Sequence, residues 1–190
     1  YTSGTTGGPK GALLPHQSLL GHIPGVEMPH EFLSSLDPVQ DVFWTPADWA
    51  WIGGLFDVLL PAWHFGIPVI SYRSGKFDPE FAFHLMSKFK VRNTFLPPTA
   101  LKMMKAVNLS KNINGLNLRT VGSGGEALGE ELLEWGNKIL GVGINEFYGQ
   151  TECNLTVSNN GAQMVSKQGS IGKPVPGPVF KFMDKNNQFI

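Results

Sequence analysis

One cysteine, Cys153, is present in the 190-residue chain, so no internal disulfide can form. A disulfide-stapled fold is excluded, and a lone thiol suits a reducing compartment. The expectation is therefore a cytoplasmic protein. Charge is scarce too. Charged residues make up 16% of the chain, and 15 Lys and Arg balance 15 Asp and Glu. No basic surplus exists to attract nucleic acid or an anionic membrane surface. The histidines form no zinc pattern. His22 and His30, with Glu27 and Glu31, lack metal-ligand spacing, and Gly21 and Pro24 interrupt any helical face. No Ser-His-Asp arrangement can be argued, and nothing marks Cys153 as a nucleophile.

Apolar residues, by contrast, are plentiful. They make up 42% of the chain, with thirteen Phe and five Trp. That is enough for a sizeable core and for aromatic rings lining a pocket. Trp49 to Ile70 is apolar for long enough to span a bilayer. It also holds Asp57, His64, Pro61 and Pro68, with Gly53, Gly54 and Gly66. A charge near the middle of a spanning helix is expensive. A buried helix leading into a strand fits better.

Helix-like and strand-like patterns alternate without tandem repeats, which predicts an α/β fold with layered sheets flanked by helices. Gly53 to Phe65 reads as a helix that Pro61 kinks or ends. Ile67 to Tyr72 reads as a strand. Asp78-Pro79-Glu80 starts a helix, with Asp78 as N-cap and Phe81, Leu85 and Phe89 as its apolar stripe. Val91 to Leu96 is a strand closed by Pro97-Pro98, after which Thr99 caps a helix through Val107. Leu116 to Val121 and Ile144 to Tyr148 are strands, and Gly129 to Leu140 is a helix. Pro174 to Pro178 separates an α/β part, residues 1–173, from the start of a β element, residues 174–190. That element looks like a hairpin turning at Lys185-Asn186-Asn187. The chain opens inside a loop at Tyr1, without an initiator Met, and is expected to be an internal stretch of a longer protein.

Chemistry concentrates in three places. The first is Tyr1-Thr2-Ser3-Gly4-Thr5-Thr6-Gly7-Gly8-Pro9-Lys10-Gly11. Glycines let the backbone approach a ligand, consecutive N–H groups form an anion cradle, and hydroxyls add donors. Lys10 supplies a mobile positive charge. Counted from Gly4, the Walker A pattern would need glycine where Pro9 stands, so this is not a P-loop. The second is Gly122-Ser123-Gly124-Gly125-Glu126-Ala127, which satisfies G-x-G-x-x-A after a predicted strand. Glu146 follows at a distance suited to a ribose-binding acid. Read alone, this is the fingerprint of an NAD(P)-dependent oxidoreductase; a helix-start turn is the plain alternative. The third is Tyr148-Gly149-Gln150-Thr151-Glu152, which combines a stackable ring, a hydroxyl and a carboxylate of the kind Mg²⁺ takes beside phosphates.

The first and third segments, in this order, resemble the two signatures of the adenylate-forming superfamily. That superfamily includes acyl-CoA synthetases, peptide-synthetase adenylation domains and luciferases. Tyr1 to Gly11 matches its Y-T-S-G-T-T-G-x-P-K-G at every defined position. Thr45-Pro46-Ala47-Asp48-Trp49-Ala50-Trp51-Ile52-Gly53-Gly54 resembles its A-D-x-G-W segment near the acyl pocket, with Ala50 in place of Gly.

The resemblance implies a two-step ligase. ATP and a short- or medium-chain fatty acid give acyl-AMP, and CoA then takes the acyl group. It assigns Thr2, Ser3, Gly4, Thr5, Thr6, Gly7 and Lys10 to the phosphates. Gly124, Gly125, Glu126, Tyr148, Gly149 and Gln150 go to the nucleotide. Thr151 goes to the α-phosphate, Glu152 to Mg²⁺, and Trp51, Ile52 and Gly149 to the acyl pocket. Acetyl-activating members carry Trp where Gly149 stands, so a deeper pocket for propionyl and longer acids is expected. A ribose-binding Asp, a hinge and a C-terminal Lys are expected beyond Ile190. Two other readings stay open: the NAD(P)-dependent oxidoreductase and a non-catalytic nucleotide-binding module.

Overall fold

Side chains alternate across a strand, and the central strands of this protein bury both faces. The computed structural model describes residues 1–2, 8–33, 41–72, 75–107 and 115–189. In it β1 (Phe43–Trp44), β2 (Asn93–Phe95), β3 (Thr120–Gly124) and β4 (Ile144–Gln150) lie parallel in chain order. β5 (Asn154–Ser158) and β6 (Lys173–Pro174) extend the sheet antiparallel. Phe43, Phe95 and Phe147 point into one apolar cluster with Val58, Ala62, Leu155 and Val175. Trp44, Leu96, Val121 and Ile144 point into a second, with Phe83, Met86, Leu101 and Leu132. The sheet is thus a middle layer between helices, the α/β arrangement the alternating pattern implied.

Two short helices, α1 (Ser18–Gly21) and α2 (Ile23–Glu27), come before β1. The apolar stretch after Trp51 is helical, as expected, but in three pieces. α3 (Ile52–Gly54) continues through a π-helical segment, Leu55–Leu59, into α4 (Leu60–His64). Pro61 has no N–H to donate and its ring crowds the carbonyl four residues back, and the widened turn lies immediately before it. Among the described residues no helix is long and apolar enough to cross a membrane.

α5 (Pro79–Lys88) begins as read, with Asp78 Oδ1 accepting the Glu80 and Phe81 N–H groups at 3.0 and 3.1 Å. Asp78→Ala should cost about 1 kcal/mol, visible as a lower urea midpoint with unchanged slope. Its buried face is Ala82, Phe83, Leu85 and Met86; Phe89 lies past the last turn and is exposed. The helix is therefore rotated from the expected stripe. α6 (Pro98–Ala106) is N-capped by Pro97, with Thr99 already inside it, because two prolines preset the entry.

Three strand assignments shift. Ile67 to Tyr72 makes only a single bridge, Val69 beside Phe43, since Pro68 removes a donor. The third strand starts at Thr120 rather than Leu116 and absorbs Gly122 to Gly124. β5 was not anticipated at all. α7 (Glu130–Trp135) and a π-helical segment, Gly136–Leu140, form the helix expected after Gly129. Near the C-terminal end Val175 is buried and bonds Thr156 through its N–H. Met183 and Phe189 pair as a bridge around a turn at 185–187, as the hairpin pattern suggested.

Candidate active site

Parallel strands present their loops at one end, and ligands bind there. The C-terminal ends of β2, β3 and β4 open onto a cavity of about 650 Å³. The start of the chain reaches it through a closed neck. Thr2 N–H donates to Lys10 O at 2.8 Å and Lys10 N–H to Thr2 O at 3.0 Å. Both residues line the cavity. Ser3, Gly4, Thr5, Thr6 and Gly7, between them, lie outside the described residues.

β3 with the residue after it supplies Gly124 and Gly125, and β4 with its following turn supplies Gly149, Gln150, Thr151 and Glu152. α3 contributes Ile52 and Gly53, and Trp51 caps it. Ten sequence-assigned residues thus meet at one opening. Two do not line it. Tyr148 is exposed, and Glu126 is exposed and paired with Lys102 Nζ at 3.3 Å.

The glycines have different reasons to be glycine. A Cβ on Gly124 would meet the Phe147 ring at 2.6 Å and the Phe147 carbonyl at 2.7 Å. Gly125 sits at φ +102°, in the left-handed range that disfavours side chains. A Cβ on Gly149 would collide with the Asn154 carbonyl across the β-bulge that follows Tyr148. In this chain the backbone approach alone gives a reason for glycine at 149, beside any effect on the acyl pocket.

Four cavity residues escaped the sequence reading. The tilted rings of Phe95 and Phe147 have centroids 5.4 Å apart, the Trp51 and Phe95 ring centroids are 6.0 Å apart, and Gly53 sits between Trp51 and Phe95 on the wall. The fourth is Asp57, on the π-helical segment, 6% exposed and with Oδ1 unpartnered among the described residues. A lone acid in an apolar run was the available signal. Burial pushes Asp57 up from 3.8 to about 7; the Asn154 side chain pulls the other way, though its Nδ2 stops short of a hydrogen bond.

A raised acid holds its proton in the folded state while the unfolded chain has released it, so stability falls as pH rises from about 4 to about 7. Asp57→Asn removes that slope. Its melting temperature should overtake that of the wild type as pH goes from 5 to 8; a constant difference would contradict the shift.

His30 is structural. It is buried, its Nδ1 lies 3.2 Å from Thr120 Oγ1, and its ring meets Phe43 edge-on at 4.7 Å. Burial, with Arg119 nearby, lowers it to about 3, so it stays neutral. Among the described residues no three His, Cys, Asp or Glu cluster to hold a metal. Mg²⁺ does not need such a cage, since it binds through one or two carboxylates plus substrate phosphates. Glu152, exposed on the cavity wall, fits that use.

The chain matches the AMP-binding enzyme family over residues 1–189. It belongs to that family. It is 30% identical to the acetyl-coenzyme A synthetase of Bacillus subtilis over 93% of this chain and 30% of that protein. An acyl-CoA synthetase from Brucella canis superposes with a TM-score of 0.83 at 29% identity, covering all of this chain and 34% of the other. An anthranilate CoA ligase, AuaEII, in complex with anthranoyl-AMP superposes with a TM-score of 0.85 at 26% identity, over all of this chain and 36% of that one. The chain thus spans about a third of the length of the proteins it matches.

Within this AMP-binding domain the segment that matches the dinucleotide fingerprint is not a strand–turn–helix nucleotide loop. Gly122 to Gly124 are strand, and five residues separate Gly124 from α7. Glu146 is buried and its Oε1 accepts the Leu128 N–H at 2.9 Å. It braces the loop and is not free to hold a ribose, so the oxidoreductase reading is not favoured.

Proposed function

We propose that the protein carrying this chain is an AMP-forming acid–thiol ligase, an acyl-CoA synthetase. The observation that carries this reading is the convergence of Thr2 and Lys10 with Gly149 to Glu152 on one cavity, beside Gly124 and Gly125. A carboxylate oxygen attacks the α-phosphorus of ATP, the bond to pyrophosphate breaks, and a mixed anhydride forms. A thiolate of CoA then attacks the acyl carbon and AMP leaves, the thiol proton passing to solvent.

Positioning and charge stabilisation dominate such a step. Lys10, Thr2 and the loop from Ser3 to Gly7 would hold the β- and γ-phosphates. Thr151 would face the α-phosphate through its hydroxyl. Gly124, Gly125 and Gln150 would border the nucleoside, with Glu126 and Tyr148 at its outer edge. Glu152 would hold Mg²⁺, which when bound neutralises phosphate charge. Trp51, Ile52 and Gly149 would border the acyl group. We further assign residues 174–190 to the start of a β subdomain, on the 183–189 hairpin, and place the protein in the cytoplasm.

The acid is proposed to be short- or medium-chain, propionyl upward. ATP–pyrophosphate exchange on the protein at its natural length, run over a series from acetate to octanoate, tests both points. Exchange that depends on the acid and rises beyond acetate is expected. Acetate best by at least about tenfold in kcat/KM, roughly 1.4 kcal/mol, overturns the chain-length assignment.

A further inference from the structure

Trp51, Ile52, Gly53, Phe95 and Phe147 give one side of the cavity an apolar, mostly aromatic wall. A single carboxylate, Asp57, is set among them. Its Oδ1 is buried with no hydrogen-bond partner among the described residues, and so is the Nδ2 of Asn154 close by. Buried polar groups almost always find partners, and an orphaned one in a wall facing a ligand cavity asks for a partner that arrives with the ligand. The backbone that carries Asp57 supports this. It lies on a π-helical segment, a turn that costs regular helix bonding and recurs at functional sites. Apolar packing alone would be better served by an aliphatic residue at this position, as at its neighbours Val58 and Leu59.

Building on the acid-activating function proposed above, we propose that Asp57 selects a carboxylic acid whose acyl chain carries a hydrogen-bond donor, a hydroxyl or an amine. An apolar pocket discriminates weakly between acids that differ by a methylene. A site that must satisfy a buried polar group rejects the analogue lacking the donor far more strongly. The carboxylate therefore acts as a filter on the acyl chain and takes no part in bond making.

The test is ATP–pyrophosphate exchange on the protein at its natural length with matched acids: 3-hydroxypropanoate, 4-hydroxybutanoate and 5-hydroxypentanoate, the corresponding amino acids, and butanoate, pentanoate and hexanoate. At least one donor-bearing acid should exceed its alkyl match by more than tenfold in kcat/KM. Asp57→Leu should invert that ratio. Asp57→Asn, which keeps size and an acceptor oxygen, should retain a hydroxyl preference and lose an amine preference, which separates the two donors. Melting curves of both variants show whether they fold, and the isosteric Asn variant keeps the test open if the Leu variant does not. Alkyl acids matching or exceeding every donor-bearing acid, in wild type and Asp57→Asn alike, would overturn the role of Asp57 while leaving acid activation standing. No exchange with any acid would overturn both.

Discussion

Glu152→Gln is expected to lower carboxylate-dependent ATP–pyrophosphate exchange by about 10²–10³-fold, the scale for removing one preorganised charge contact from a transition state. Glu152 is exposed on the cavity wall and makes no ion pair among the described residues. Little folding energy depends on it, so stability should stay within about 0.5 kcal/mol of the wild type, as for surface substitutions generally. The loss should fall mainly on kcat, because the carboxylate is assigned to charge that develops as pyrophosphate leaves. Raising Mg²⁺ should recover part of the lost rate. An unchanged rate at limiting Mg²⁺ would remove Glu152 from the metal role. Thr151→Ala, one residue earlier, should give a smaller loss, since it removes a neutral hydroxyl.

Gly124→Ala is expected to damage both the fold and the site. Glycine within a strand is entropically unfavourable, so its presence marks a close approach. Here the approach is to Phe147, whose ring and carbonyl lie 2.6 and 2.7 Å from where the new methyl would sit. Phe147 pairs with Gly124 across β3 and β4 and packs tilted against Phe95 in the first apolar cluster. The Phe147 carbonyl is fixed in the paired strand, so the ring must give toward the cavity it lines, and overpacking of this kind costs about 1–3 kcal/mol. A urea midpoint lowered accordingly is expected, with a rise in KM for ATP because the shifted ring borders the cavity. A Gly125→Ala variant separates strain from space. No wall atom is closer than 4.0 Å to its Cβ, yet φ is +102°, so its cost should be backbone strain of about 1 kcal/mol or more. Equal effects from the two would contradict the steric account of Gly124.

What the sequence made legible follows from where local rules act alone. Asp78-Pro79-Glu80 located α5 because an N-cap and a first-turn proline need only neighbouring residues. The segment from Tyr148 to Glu152 located the site because its residue types and order are specific. The alternation Phe43/Trp44 and Phe95/Leu96 that divides the two cores was too short to read. Strands of two and three residues give no period. The central strands also bury the polar residues Asn93, Thr94, Thr120, Ser123, Asn145 and Glu146, whose burial no apolar pattern signals. Their partners come from distant segments: Asn93 Oδ1 accepts from Thr120 and Arg119, and Asn145 donates to the Pro29 carbonyl. β5 escaped for the same reason, since a positive φ at Asn154 and a bulge opposite it break the pattern. Asp57 was visible only as an argument against a membrane span. Its place on the cavity wall depends on how the π-helical segment lies against β2 and β4, which no local pattern contains.

The central claim is that a carboxylate oxygen attacks the α-phosphorus of ATP in this cavity. Carboxylate labelled with ¹⁸O, incubated with ATP, CoA and the protein at its natural length, tests it directly. One labelled oxygen should appear in the phosphate of AMP, in step with thioester formation. Label in inorganic phosphate with ADP as the other product would mean attack at the γ-phosphorus and would contradict the account, as would thioester formation with unlabelled AMP.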